Sequence, residues 1–400
     1  MNNLSYNIAH SFEELKEICK EWDQFVIKND STIYMSYNWC RIWWEYYSQG
    51  KKLQVFTFYY DKRLVGIVPM YIDFLKVGPL GLKAAKLVGS YIAPKILNPP
   101  IVERWAEPIF EKILINLISE EKCDVVSFGP VSAMYEPIKM LQKVCRTRSD
   151  VIGSVREQSM GVHSIFFLGK SFEDYLHSLG KNERKNSRKY LLRYLQKRFD
   201  TKVDITSNSE NIEKEFEKFV NMHTQQWRKE GRLGHFKAWP NAEAFNLSLV
   251  KEFGKRNNLR LIRILADGQV ISYQYTFAFG DYYYWQLPSR VIGSEWEPFS
   301  LGHTGLMNMI RLAIDEGIGR IEGGIGHYEY KIKLGAREYP AINLRITANR
   351  SGSRLRGNIF YFMFWLVNIF YHKIWYQRIQ PRLPHFFQQP ICSIWIRLFL

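Results

Sequence analysis

The sequence predicts an α/β (α+β) chain of two similar halves, each with hairpin-connected strands flanked by helices, followed by a basic aromatic tail. Three observations carry this reading. At 400 residues the chain exceeds what one compact hydrophobic core usually organises. Apolar residues make up 46% and charged residues 24%, the balance of a folded chain rather than a disordered one. The order of helices, hairpin meander, helix and strand also occurs twice along the chain, the mark of an internal repeat.

In the first half a helical pattern opens at Ser11, with Phe12, Leu15, Ile18, Trp22 and Phe25 at three- and four-residue steps. Ser11 and Glu14 have the spacing of a capping box. A second short helix carries Trp39, Trp43, Trp44 and Tyr47. Alternation over 53–60 and 64–72, joined at Asp61-Lys62-Arg63, predicts a hairpin. The stretch 78–100, with Gly78-Pro79, Gly81, Pro94 and Pro99-Pro100, reads as loop. A helix over 109–121 and a strand over 124–129 follow.

The second half opens with a basic amphipathic helix over 172–199, then helices over 212–231 and 241–257. Strands over 260–266, 270–279 and 282–287 are separated by Asp267-Gly268 and Gly280-Asp281. A loop over 288–300, a helix over 303–316 and a strand over 319–323 complete it. These patterns place units at 1–155 and 156–348, with a tail at 349–400.

Composition narrows the function classes. The 55 Lys and Arg against 39 Asp and Glu give a formal charge of +16, which favours an anionic partner: nucleic acid, anionic lipid, a phosphorylated cofactor or an acidic glycan. Aromatics reach 16% and can fill a core, line a groove or sit at a membrane surface. Cys19, Cys40, Cys123, Cys145 and Cys392 are scattered, odd in number and without a C-x-x-C pair, against a disulfide framework or zinc site. His223 and His235 have no partners at metal spacing, so no metal is expected. The first residues lack a basic and apolar leader, so the chain is expected in the cytoplasm. From 351 to 400 the cations Arg354, Arg356, Lys373, Arg378, Arg382 and Arg397 face no Asp or Glu. The apolar run 359–367 falls short of the roughly 20 residues a span needs. Such a basic aromatic segment either lies at an anionic membrane surface or docks on the protein body.

Candidate chemistry concentrates between 281 and 335. Ser300, Gly302, His303, Thr304 and Gly305 stand where a strand gives way to a helix, so the backbone can approach a ligand and free amides can hold phosphate oxygens. An ordinary helix start has the same appearance. Glu322 ends the next strand, before Gly323-Gly324-Ile325-Gly326, and His327, Tyr328, Tyr330 and Lys331 follow. A carboxylate, an imidazole and two phenols this close suit proton transfer from an amine nucleophile; a hydrogen-bonded turn is the plainer reading. Trp227, Tyr275, Tyr283 and Trp285 could line a sugar cleft or pack in the core.

The series His223–Trp227–Gly231, Asp267-Gly268–Phe277, Asp281–Tyr284, Ser300–Gly302, Ala313–Gly317 and Glu322–Gly324–Tyr330-Lys331 resembles the CelD-like acetyltransferases. These belong to the GNAT superfamily and stand close to the FemAB-type peptidyltransferases. Trp39–Trp43-Trp44 and the hairpin ending Val65-Gly66-Ile67-Val68-Pro69 are similar to that family's first half. The resemblance implies two tandem GNAT-like units with mixed, mostly antiparallel sheets. It implies transfer of an acyl group from acetyl-CoA or another acyl-CoA to an amine, often in making cell-surface polysaccharide. The phosphate loop would fall on Ser300–Gly305, the strand-end acid on Glu322 and the tyrosine-lysine pair on Tyr330-Lys331. Where the family shows Q/R-x-x-G-x-G/A this chain has Ser300-Leu-Gly302-His-Thr-Gly305, and it has Leu301 in place of a frequent Pro.

In the mechanism so implied, Glu322 removes the amine proton and Tyr330 or Tyr328 protonates the departing thiolate. Lys181, Arg184, Lys185, Arg188, Lys189, Arg193, Lys197 and Arg198 form either a solvated helix face or a contact for CoA phosphates, an acidic substrate or a tRNA backbone. Two further functions stay open: an aminoacyl-tRNA-dependent transferase of the FemAB kind, and a non-catalytic scaffold peripheral to the inner face of the membrane.

Overall fold

A computed structural model describes residues 4–90, 95–191, 193–207, 211–237 and 239–384. Among these the strands are β1 (Leu4–Ala9), β2 (Lys51–Tyr60), β3 (Arg63–Val77), β4 (Leu80–Leu87), β5 (Val125–Ser132), β6 (Ile152–Phe167), β7 (Thr201–Thr206), β8 (Leu259–Ala266), β9 (Gln269–Phe279), β10 (Tyr282–Arg290), β11 (Arg320–Ile325) and β12 (Ala336–Ala348). The α-helices are α1 (Cys19–Lys28), α2 (Tyr37–Tyr47), α3 (Ala106–Ile115), α4 (Glu136–Thr147), α5 (Phe172–Ser178), α6 (Lys181–Tyr190), α7 (Arg193–Gln196), α8 (Ile212–Lys229), α9 (Ala242–Lys255), α10 (Leu301–Asp315), α11 (Glu329–Lys333) and α12 (Ser351–Val367).

The chain divides into two compact units, one from Met1–Val162 and Tyr339–Arg378, the other from His163–Glu338. The sequence placed these divisions at 155/156 and 348/349. In the first unit the strand order is β1-β2-β3-β4-β5-β12, antiparallel except for the parallel pair β4 and β5. In the second it is β7-β8-β9-β10-β11-β6, antiparallel except for β10 and β11. Each unit is thus a four-strand meander, a parallel fifth strand and an antiparallel sixth. The sixth strand of the first unit, β12, follows the second unit in the sequence. This is the mixed, mostly antiparallel sheet flanked by helices.

Apolar periodicity built the helices where it was strongest. Ser36 caps α2 by accepting from the Trp39 amide, and the Trp43 ring stacks on Tyr71 at 5.4 Å. In the second unit α10 buries Leu306, Met307, Met309, Ile310 and Ala313 in one core with Phe166, Tyr283, Trp285 and Ile321. That core fixes α10 on the sheet and so fixes both ends of the candidate site.

Several expectations are corrected. Ser11 does hydrogen-bond Glu14, but the pair closes a short turn at Glu13–Leu15 and the helix proper begins at Cys19. The basic helix over 172–199 is three pieces, because Leu191, with ψ of 76°, ends α6, and Leu179 and Gly180 are extended, with ψ of 153° and 151°. Glycine lacks the helix propensity to bridge that point, and Leu179 turns into the core instead. The loop over 78–100 contains β4, whose Gly, Ala and Lys are poor strand formers held by pairing with β3 and β5. β1, β6, β7, β12 and α4 also escaped the sequence reading. No described helix is long and apolar enough to cross a membrane.

Candidate active site

β10 and β11 pair in parallel over only three positions, ending at Tyr284 opposite Glu322. Beyond it β10 continues to Arg290 with a register shift after Trp285, and β11 shifts against β6 between Glu322 and Ile325. The two parallel strands therefore part at Glu322. The matching point of the first unit is Ser127, opposite Lys86, and offers no carboxylate on β5. Glu322 is buried, 4% exposed. Its Oε1 accepts from the Gly324 amide at 3.1 Å, and its Oε2 lies 3.1 Å from Nδ1 of the buried His163 on β6. Gly323 is needed here, since a Cβ would stand 2.7 Å from the Ser164 hydroxyl.

Lys331 turns back from α11 into the same corner. It is 4% exposed, and its Nζ donates to the Gly323 carbonyl at 2.7 Å. Burial pulls its pKa down to about 8, against the upward pull of Glu322 and Glu338. The ammonium also lies 4.5 Å from the Tyr328 ring centre and 5.7 Å from that of Trp285. Tyr328 and Tyr330 are half exposed, their rings 5.8 Å apart, and the packing around the Tyr330 phenol pushes its pKa up to about 12. His327 faces outward and pairs with Glu338 at 2.9 Å, which raises its pKa.

The expected phosphate loop is the first turn of a helix. Ser300, with a left-handed φ of 47°, precedes α10, which starts at Leu301 rather than His303. The Thr304 amide is taken by the Ser300 carbonyl and its hydroxyl by the Phe299 carbonyl. Gly305 is a packing glycine, because a Cβ there would stand 2.2 Å from the Gln274 amide nitrogen. Burial lowers the pKa of His303, whose Nε2 lies 3.1 Å from the Ser187 hydroxyl. What opens outward is a cleft of about 380 Å³ whose lining includes Arg290, Trp296, Glu297, Ser300, Gly302 and His303. The amide end of a 15-residue helix, one guanidinium and the Glu297 carboxylate thus face the same space.

A second cavity, of about 430 Å³, is lined by Lys181, Arg184, Lys185, Arg188, Lys189 and Arg193. Arg188 is partly engaged by Glu173 at 2.7 Å. The proposed sugar-cleft rings separate: Tyr275 is fully buried among Phe216, Phe219 and Phe277, whereas Trp227 is half-buried beside His235. Trp285 is buried beside Lys331. His223 and His235 lie 3.1 Å apart between their ring nitrogens, and burial with His235 holds the His223 pKa down to about 3. Neutral His223 therefore donates from Nδ1 to the Pro288 carbonyl.

Sequence reasoning missed His163 and Arg290. The alternation of Val162-His163-Ser164-Ile165 marks a strand with a polar position, but only its pairing with β11 brings the imidazole to Glu322.

Residues 181–332 match the family model for the acetyltransferase (GNAT) domain. No curated protein matches the chain. Among solved structures, that of FemX aligns with a TM-score of 0.61 at 11% identity, covering 84% of this chain and 98% of that one. A conserved protein of unknown function from Bacteroides thetaiotaomicron VPI-5482 aligns at 0.52 with 9% identity, over 86% of this chain and 100% of its own. At these identities the shared property is the fold. Residues 181–332 are thus similar to the acetyltransferase (GNAT) domain, and the chain as a whole shares its fold with FemX.

Proposed function

We propose that this chain is an acyl-CoA-dependent N-acyltransferase of the CelD-like kind, working in the cytoplasm on an amine, an amino sugar of a cell-surface polysaccharide precursor. The observation that carries this reading is the buried Glu322 at the parting of β10 and β11, with Lys331 beside it. From Tyr284 to Arg290 the strand rises roughly 20 Å, so it leads from the acid to the cleft at α10. The free first-turn amides of α10 and Arg290 bind the phosphates of the donor there. Glu322, oriented by His163, takes the proton of the attacking amine. Lys331 gives a proton to the sulfur released as the carbon–nitrogen bond replaces the carbon–sulfur bond. Its pKa of about 8 suits a thiolate, whereas a phenol near 12 does not. Tyr328 and Tyr330 flank the acceptor, and His327 holds the start of α11 through Glu338.

Calorimetric titration of acetyl-CoA tests the donor. Micromolar binding, lost in Gly302→Trp and Arg290→Glu, supports the reading; no binding up to millimolar ligand overturns it and leaves a tRNA donor or a scaffold role. Full turnover by Glu322→Gln at every pH would remove the proposed base.

The six-cation cavity at α6 favours one other donor, an aminoacyl-tRNA, as the FemAB resemblance implies. That reading predicts tRNA binding that falls steeply with salt and is lost in Lys185→Glu/Arg188→Glu.

A further inference from the structure

The helix α12 is held to the first unit by one face only. Ser353, Gly357, Phe360 and Phe364 form its inner row, at i, i+4, i+7 and i+11. Phe360 is fully buried with Leu75, Leu82, Ala84 and Val125, and Phe364 packs against the same cluster. Asp124 clamps the first turns, accepting from Arg356 Nη2 and Ser353 Oγ, both at 2.5 Å. Arg350 donates to the carbonyls of Ile118 and Cys123 at 2.8 and 2.6 Å.

The opposite face is apolar and open. Leu355 is 63% exposed, Phe362 57%, Trp365 50% and, past the helix, Phe370 62%. Phe362 and Trp365 stack with ring centres 5.8 Å apart. Four large apolar side chains on one anchored segment are not the scattered exposure of an ordinary surface. Cations border them: Arg354, Lys373 and Arg378 are exposed, and Arg156 of β6 lies 4.7 Å over the Tyr361 ring and donates to Asn358. Residues 351–378 contain no Asp or Glu.

We propose that this face rests on an anionic lipid surface, with Leu355, Phe362, Trp365 and Phe370 among the headgroups and Arg156, Arg354, Lys373 and Arg378 against lipid phosphates. Charge decides the occupant: a second copy would bring two cationic, acid-free faces together, whereas an anionic bilayer neutralises one and buries its rings. The anchored inner row keeps the segment parallel to the surface, and no described helix is long and apolar enough to span. The inference stands apart from the acyl-transfer reading, since neither cleft contributes to it.

The test is flotation of the full chain with phosphatidylcholine vesicles and with phosphatidylcholine–phosphatidylglycerol vesicles. The expected result is binding to the second kind only, weakened by salt. Binding should fall about tenfold or more in Phe362→Ser/Trp365→Ser and in Lys373→Glu/Arg378→Glu. All four side chains are outside the core, so circular dichroism should be unchanged. Brominated lipid should quench fluorescence of the parent chain more than that of Trp365→Phe. Absence of flotation by the folded parent chain, or equal flotation of both variants, overturns the proposal. A dimer in sedimentation that dissociates in Phe362→Ser/Trp365→Ser overturns it in favour of a second copy.

Discussion

Lys331 is the residue where stability and chemistry pull apart. Its amine is buried, and burial lowers its pKa from the usual lysine range to about 8. Between that value and the unfolded one the unfolded chain binds more protons, so this group's contribution to stability rises with pH across the window. At pH 7 it costs the fold on the order of 3 kcal/mol, partly offset by the bond to the Gly323 carbonyl. Lys331→Met should therefore leave the thermal midpoint at pH 7 level or higher while turnover collapses. A midpoint several degrees lower with turnover intact would make Lys331 structural. As a proton donor it is competent only below its pKa, so the rate of the parent chain should fall as pH rises through about 8. Lys331→Arg should lose that basic limb, which a pH–rate profile reads directly.

At the scale of elements, the start of α10 separates two glycines that look alike in the sequence. Around Gly302 a methyl would meet only the Arg290 Nη1, at 3.4 Å, whereas at Gly305 it would collide with the buried Gln274. Gly305→Ala should cost about 1–3 kcal/mol through overpacking. Gly302→Ala should lose nothing measurable, since alanine is the better helix former. Urea unfolding of both variants checks this, and equal costs would contradict the packing role of Gly305. The basic segment shows the same point on a larger element. Its charge pattern was legible, but the break at Leu179-Gly180, which separates α5 from α6, was not.

On the scale of the whole molecule, the first unit depends on chain that arrives last. β12 pairs with β5 from Ala341 opposite Ser132 to Thr347 opposite Val125, and α12 seals the cluster around Phe360. Truncation after Glu338 should leave β5 with an open edge and abolish soluble expression. Truncation after Asn349 should keep β12 and fold, at a lower thermal midpoint. Soluble yield and circular dichroism decide between these outcomes.

The sequence by itself determined the α/β class, the hairpin of β2 and β3, the run β8 to β10 and the helices with strong apolar periodicity, and it offered the stretch 300–331 as a candidate place for chemistry. These rest on local chemistry: turn residues, side-chain period and charge all act within a few positions. Tertiary structure alone decided which strands close each sheet, because the Lys- and Gly-bearing β4 and the polar β6 are strands only by virtue of their partners. It also decided that His163 meets Glu322 across 159 positions, that Lys331 turns inward, that the Thr304 hydroxyl is bonded to the Phe299 carbonyl and that Gly305 is packed against Gln274. Burial and long-range pairing set those roles, and neither is written in any short run of residues.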